Sequence, residues 1–447
     1  MTLRRPRSAG LAGWLERWSA VLPLFAAEFV LWVGFGALLP VMPIYFTQHG
    51  VDLALLGVVV AAWPAARLVT EPIFGMIADR TRRVPLLIVG LLVSGAAVGL
   101  SLVFVGALQF VILRAVAGIG TAIYDPAARG YLADATPAER RGEAFGLYGA
   151  SQMGGLMMGP AIGGFGAAVF GGVEFVFVFS AIASFAAAVV VALRVAERPH
   201  LHWASRVPAT AVSEFPSAGA TVEAEAATDR GRDDERARDN APGSHSSAPS
   251  SMVNRLLIAA LIFGFASYFS GGVYEVIWTL FLTSRGGGLD LVGLTFAIFG
   301  GVVLVLSPIA GRMVDRRGGF AFIIFGLFAT GAMSLAYPFL TTAVHAVPFV
   351  AIEAAGLAVA GPAIFAVVAA GSPRGRSSTA QGIYGAAGTL GTIFASVMTG
   401  YLAAVDIRYP FFVVAVVVAV ALVVGFVVGG RQLRTLGARP KAPPLTG

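Results

Sequence analysis

The charged residues lodged inside apolar runs carry the chemistry of this sequence. Glu28 lies in FAAEFVLW, Arg114 in VILRAVAGIG, Glu275 in GGVYEVIW and Glu353 in VAIEAAGL. An ionisable group in hydrocarbon is costly, so such groups face a polar interior, pair with one another and mark ion or substrate paths. They can exchange a proton, trade one ionic partner for another, or bind a cation. Arg67 and Glu71 are four apart, which places them on one helical face as a local ion pair, and Asp125 precedes Pro126. The sequence shows no metal-ligand cluster, no nucleophile beside a base and no G-x4-G-K-[ST] phosphate loop. It has no cysteine, which excludes disulfides and thiolate metal sites.

The elements that position these charges are membrane spans. Hydrophobic residues make up 57% of the chain and charged ones 12%, with a mean hydropathy of +0.81. A soluble domain carries about 25% charged residues. Runs of roughly 20 apolar residues cross a bilayer, and twelve are predicted. In the first half they fall at about 19–46, 53–78, 84–105, 107–133, 143–170 and 173–193. In the second they fall at about 255–283, 290–313, 319–340, 344–370, 378–404 and 409–429. The first run is too long for a secretory h-region and no small-residue cleavage site closes it early, so it is expected to stay as a span. Glu28 is then ~14 Å and Arg114 ~10 Å inside its helix at 1.5 Å per residue.

Arginines crowd alternate loops: Arg80, Arg82 and Arg83; Arg140 and Arg141; Arg312, Arg316 and Arg317; Arg374 and Arg376; then Arg431, Arg434, Arg439 and Lys441, the only lysine. The other loops carry Arg285 and Arg408. This is the positive-inside pattern, so both termini are expected in the cytoplasm and the basic excess sets orientation in a cell membrane rather than nucleic-acid binding. Residues 1–18 read as an N-terminal tail, 19–194 and 253–430 as two six-helix bundles, and 431–447 as a C-terminal tail. The stretch 195–252, with TDRGRDDERARDN at 228–240, lacks apolar periodicity and reads as a disordered linker.

The two halves repeat. Gly75-Met-Ile-Ala-Asp79-Arg80-Thr-Arg82-Arg83 returns as Gly311-Arg-Met-Val-Asp315-Arg316-Arg317-Gly318, an offset of 236 residues. At the same offset Pro137, Arg140, Ala144, Gly146, Tyr148, Gly149 and Ala150 fall on Pro373, Arg376, Ala380, Gly382, Tyr384, Gly385 and Ala386. The repeated loop and the parallel six-span halves resemble the major facilitator superfamily, a fold whose substrate site lies between the halves near mid-membrane. The resemblance covers the chain outside the tails and linker. It implies an all-α integral membrane protein of twelve spans.

It further implies a cytoplasmic gate built on Gly75, Asp79, Arg80, Arg83, Gly311, Asp315 and Arg316. Asp79 would dock on the start of the eleventh span near 377–379, and Asp315 on the fifth near Gly142. Gly75 and Gly311 would permit close helix approach. Arg67, Glu71 and Asp125 are placed in the same gate network. Arg114, followed by Gly118 and Gly120, resembles the family's fourth-helix motif. The first and fourth helices line the cavity in the family, so Glu28 is expected to pair with Arg114, its protonation making and breaking the contact. Glu275 and Glu353 are the further proton-coupling or cation-binding candidates. In the fifth span Gly155-x3-Gly159-Pro160-x2-Gly163-Gly164 resembles the antiporter motif of drug–proton exporters, where glycines give a flat packing groove and the proline a kink.

Trp32, Phe35, Tyr124, Tyr268, Tyr274, Trp278 and Phe365 are the cavity-lining candidates, an aromatic wall suited to lipophilic, often cationic compounds. The expectation is a non-enzymatic secondary transporter, monomeric, with small-molecule substrate, protons and lipids as partners, no nucleic acid, and no cofactor beyond a proton gradient. It would export amphipathic compounds against proton entry. Two alternatives stay open: proton-coupled transport of a polar metabolite such as a sugar or amino acid, and a non-transporting sensor or scaffold acting through the linker.

Overall fold

The computed structural model of the chain describes residues 11–137, 140–170, 172–197, 254–372 and 377–435. They form helices throughout. A short α1 (Leu11–Trp18) leads into α2 (Leu22–Leu38), α3 (Met42–Gln48), α4 (Leu53–Ala78), α5 (Arg83–Leu100), α6 (Ala107–Ala135), α7 (Arg141–Phe170) and α8 (Glu174–Arg194). The second half runs α9 (Arg255–Ser284), α10 (Leu289–Arg317), α11 (Phe320–Ala336), α12 (Ala346–Gly371), α13 (Ser377–Val405) and α14 (Tyr409–Thr435). Among the described residues eleven helices are long and apolar enough to cross a membrane, and the α2–α3 pair supplies a twelfth span, bent by 48°. The sequence reading had this span continuous. The break falls at Pro40, whose missing N–H and bulky ring stop the helical ladder.

Local signals start and stop the helices. The Asp52 carboxylate accepts from Leu55 N at 2.8 Å to cap α4, and Asn254 Oδ1 accepts from Leu257 N at 3.0 Å to cap α9. Asn254 also donates to Gly371 O at 2.7 Å, joining the start of α9 to the end of α12. Gly318 closes α10 at φ 82°, a left-handed conformation that favours glycine. That accounts for the glycine ending the second copy of the repeated loop.

The halves pack alike. α2 lies against α7 and α8 as α9 lies against α13 and α14; α4 and α5 flank α6 as α10 and α11 flank α12; α5 meets α8 as α11 meets α14. Between halves, α4 packs on α13 and α7 on α10, two contacts related by the same repeat. Three apolar cores result, one in the second half and two in the first, with Val276 of α9 joining the core around Tyr45, Phe46 and Phe110.

Two boundaries differ from the sequence reading. The expected N-terminal tail holds helix α1, whose Trp18 is buried and packs on Phe25. The expected linker begins later than Val195: Val195 is buried, Tyr131 donates to Ala196 O at 3.0 Å, and Glu197 caps α5. Most of the linker lies outside the described residues.

Candidate functional site

The halves meet on the arginine-poor face and part on the arginine-rich one. Gly57 of α4 lies directly under Ser396 O and Gly400 of α13, and a Cβ added to Gly400 would stand 2.6 Å from the Leu53 and Ala54 carbonyls. Gly164 of α7 faces Gly293 and Leu289 O of α10 as closely, at 2.7 Å. Toward the arginine-rich face, Gly146 and Gly149 of α7 and Gly382 and Gly385 of α13 have no neighbour within 4 Å of a built Cβ. A cleft therefore opens between the halves on the arginine-rich side. Gly75 and Gly311, expected to permit close helix approach, show none here: a Cβ built on Gly75 would meet Pro126 of α6 at an ordinary 3.8 Å, and one on Gly311 would meet nothing within 4 Å.

Near the closed end an ion pair joins the halves. Arg114 Nη2 of α6 donates to Glu275 Oε1 of α9 at 3.4 Å, both side chains mostly buried. This corrects the expected Glu28–Arg114 pair. Glu28 is wholly buried inside the first half, accepts from Trp32 Nε1 at 2.9 Å, and is flanked by Tyr124, Tyr148 and Asp125. Equal depth along two helices does not fix their rotation, and Arg114 turns toward α9. Trp63, which the sequence reading passed over, organises this wall. Arg67 lies 4.9 Å and Arg114 5.9 Å from its ring, and Phe35 packs on it at 5.0 Å. Trp32 meets Phe35 edge-on at 5.2 Å.

Deeper toward the arginine-rich face, Arg67 donates to Glu71 at 3.0 Å and to Asp125, and Arg129 reaches Glu71 at 3.5 Å and Asp125 at 3.7 Å. Two cations and two anions thus form one neutral network that fastens α4 to α6. Arg129 was missed, although Asp125 and Arg129 have the i,i+4 spacing that flagged Arg67 and Glu71. At the loop between α4 and α5, Arg83 pairs with Asp134 at 2.9 Å and Asp79 at 3.9 Å. Glu197 accepts from the backbone N–H groups of Arg83 and Val84 at 3.0 and 3.1 Å, where the positive end of α5 favours a carboxylate. Arg80 is exposed, and the Asp79 side chain is 69% exposed, so Asp79 is undocked with the cleft open on this side. The side chains of its expected partners at 377–379, and those of Asp315 and Arg316, are not described, nor are the surroundings of Gly142.

In the second half Glu353 accepts from Tyr274 and Tyr337 hydroxyls, both at 2.7 Å, and Tyr274 shares a 2.8 Å bond with Ser334. Trp278 donates to Thr295 at 3.0 Å. Tyr274, Trp278 and Glu353 are therefore part of this half's interior rather than the cleft wall, and Tyr124 is likewise interior to the first half. Tyr268 and Phe365 are exposed and pack on Tyr384 at 6.2 and 5.4 Å. Tyr268 lies within electrostatic reach of Arg67 and Arg129 across the cleft. The cleft thus sets a charged wall against an aromatic one. In α7, Gly155 abuts Phe29 O, Gly159 and Pro160 abut Gly36, and Gly163 abuts Ala37 O, which fuses the motif helix to α2, the carrier of Glu28. Among the described residues no His, Cys, Asp or Glu cluster has the shape of a metal site.

Two repeated six-span bundles, closed on one face around buried charges and parted on the other, define a membrane transporter. The family model described as Major Facilitator Superfamily matches residues 24–352 and 256–445, and the chain belongs to that superfamily. A relative is the quinolone resistance protein NorA of Staphylococcus aureus (strain MRSA252), 27% identical over 149 residues, or 33% of this chain and 38% of NorA. Multidrug resistance protein 2 of Bacillus subtilis (strain 168) is 32% identical over 173 residues, 38% of this chain and 43% of that protein. The matched part thus spans about two fifths of these relatives' length. Among solved structures, a bacterial homolog of the human lysosomal transporter Spinster, inward-facing and occupied, superposes with a TM-score of 0.72 at 14% identity, covering 94% of this chain and 98% of that one. A D-xylose–proton symporter does so at 0.65 and 17%, covering 90% and 96%. At these identities the structures share the fold.

Proposed function

We propose that the protein exports small amphipathic compounds from the cell in exchange for protons, acting as a monomer in the cell membrane with both termini and the arginine-rich face in the cytoplasm. The Arg114–Glu275 pair carries this reading. It is buried, it bridges the two halves, and it must break for the closed face to open. With the arginine-poor face open, Glu275 takes a proton from outside; once that face has shut, the proton leaves to the cytoplasm and the pair re-forms, until bound substrate breaks it again. Glu28 and Glu353 are the secondary coupling candidates, each sealed within one half. Tyr268, Tyr384 and Phe365 offer stacking surface for a lipophilic ring system, and the relatives named for quinolone and multidrug resistance support export.

The test is proton release from reconstituted vesicles holding an imposed proton gradient, challenged with lipophilic cations and neutral antibiotics. Wild type should release protons with at least one compound, Glu275→Gln should not, and Glu28→Gln and Glu353→Gln should retain part of the response. Loss confined to Glu28→Gln would move coupling to α2. No release with any compound, from folded protein, would overturn the export reading in favour of a polar-metabolite carrier.

A further inference from the structure

Beside Arg114, under the wall formed by Trp32, Phe35 and Trp63, the first half holds a small cavity of mixed lining. The space open to water in it, between α2, α4, α5, α6 and α8, is about 30 Å³. By the space a water needs, that leaves room for roughly two molecules. Ser94, Thr121, Ser180 and Ser184 form its polar lining with Arg114, and apolar residues of α2, α4 and α5 form the rest. A second, smaller cavity of about 10 Å³, also lined by Arg114, lies beside Ser101. Four hydroxyl side chains thus share one cavity with a guanidinium. Arg114 is more than nine-tenths buried, and its Nε has no hydrogen-bond partner while Nη2 holds Glu275.

The hydrogen-bond directions select the occupant. Thr121 Oγ1 donates to Ala117 O at 3.0 Å, Ser184 Oγ to Ser180 O at 3.1 Å, and Ser94 Oγ weakly to Ala117 O at 3.4 Å. With their protons committed to backbone carbonyls, these hydroxyls present lone pairs to the cavity. Lone pairs repel an anion, and a guanidinium repels a cation. A water molecule satisfies both, accepting from Arg114 Nε and donating to a hydroxyl oxygen. We infer that the first half contains a built water site beside Arg114, which carries the guanidinium's charge whenever Glu275 lets go. Glu275 is the acid that pairs with Arg114 among the described residues, and the Trp63 ring covers another side of the guanidinium. Without this site, releasing the pair while the closed face is still shut would strand a buried cation, a costly state. With it, the pair can open before the halves move. The inference needs only that the pair opens during the cycle, whatever the substrate or driving ion.

A double-mutant cycle read as conformational populations tests it independently of transport. The chain has no cysteine, so spin-label pairs on α4 and α13 report the ratio of the two open states. Thr121→Val with Ser184→Ala removes two of the lone-pair donors to the site. With Glu275 present, the double change should move the ratio less than about threefold; in Glu275→Gln it should move it about tenfold or more away from the state closed on the arginine-poor face, because charged groups lose more than neutral ones when a hydrogen bond is removed. Equal shifts in both backgrounds would mean the hydroxyls only pack, and would overturn the inference. Should a variant fail to fold, a density map of the wild-type protein decides instead. A water peak within hydrogen-bond distance of Arg114 Nε is expected, and a dry cavity at a resolution that shows other buried waters would refute the site.

Discussion

Replacing Gly400 by alanine should open the closed face. A Cβ there would lie 2.6 Å from the Leu53 and Ala54 carbonyl oxygens, whereas ordinary contact begins at 3.4 Å. Helices α4 and α13 must therefore separate by ~0.8 Å to admit the methyl, at an overpacking cost of roughly 1–3 kcal/mol. The clash exists only while this face is shut. Alanine's better helix propensity acts on both states alike and cancels from their ratio. At 1.4 kcal/mol per tenfold, the population should shift roughly 5- to 150-fold toward opening on the arginine-poor side. Spin labels at Leu55→Cys and Val405→Cys, both exposed near that face, should report a longer distance in Gly400→Ala than in the parent. Gly382→Ala, with nothing within 4 Å of its Cβ position, should leave that distance alone. An unchanged distance in Gly400→Ala, or one that shortens, would refute the assignment of this glycine contact as the closure.

Two further outcomes follow from local chemistry. Tyr337→Phe strips the donor from Glu353 Oε2, bonded at 2.7 Å. It should lower stability by about 1–3 kcal/mol, read as a reduced Tm in detergent. An unchanged Tm would show that the carboxyl finds another donor. In the loop after α13, hydrogen bonds from Arg408 hold the Asp406 carboxyl down at about 2. A depressed native value stabilises above the ordinary carboxylate range, and that contribution fades as pH falls toward about 2. Arg408→Ala should return the Asp406 titration midpoint, followed by NMR, toward the ordinary aspartate value, and a midpoint that stays low would refute the pairing.

Span positions, the parallel repeat and the glycine contacts of α7 were legible in the sequence because each rests on local signals: apolar run length, capping residues, and motifs recurring at one offset. Side-chain direction was not. Tyr268, Tyr274 and Trp278 lie on one helix, yet at ~100° per residue Tyr274 points about 240° round from Tyr268 and shares a face with Trp278. One face is the cleft and the other is the interior. The partner of Arg114 was hidden for a related reason. Glu275 is 161 residues away in the other half, and only the rotation of α6 and α9 in the assembled bundle decides that it, rather than Glu28, is in reach. Trp63 and Arg129 carried weak signals, each four residues from a charge already noticed. Glu197 lay in a stretch whose composition reads as linker, and its capping role depends on where α5 begins in space.

The corner around Glu197 bears on how such a chain tolerates what lies between its halves. The end of α8, the start of α5 and the end of α6 are knotted there by Glu197 on the Arg83 and Val84 amides, Tyr131 on Ala196, and Arg83 on Asp134. Tension arriving along the backbone from beyond Glu197 meets this knot first, as a pull on a cable is taken by the strain relief before it reaches the contacts inside the plug. Replacing Glu197 by glutamine would loosen that strain relief at α5 while leaving the contacts at Arg114 and Glu275 in place.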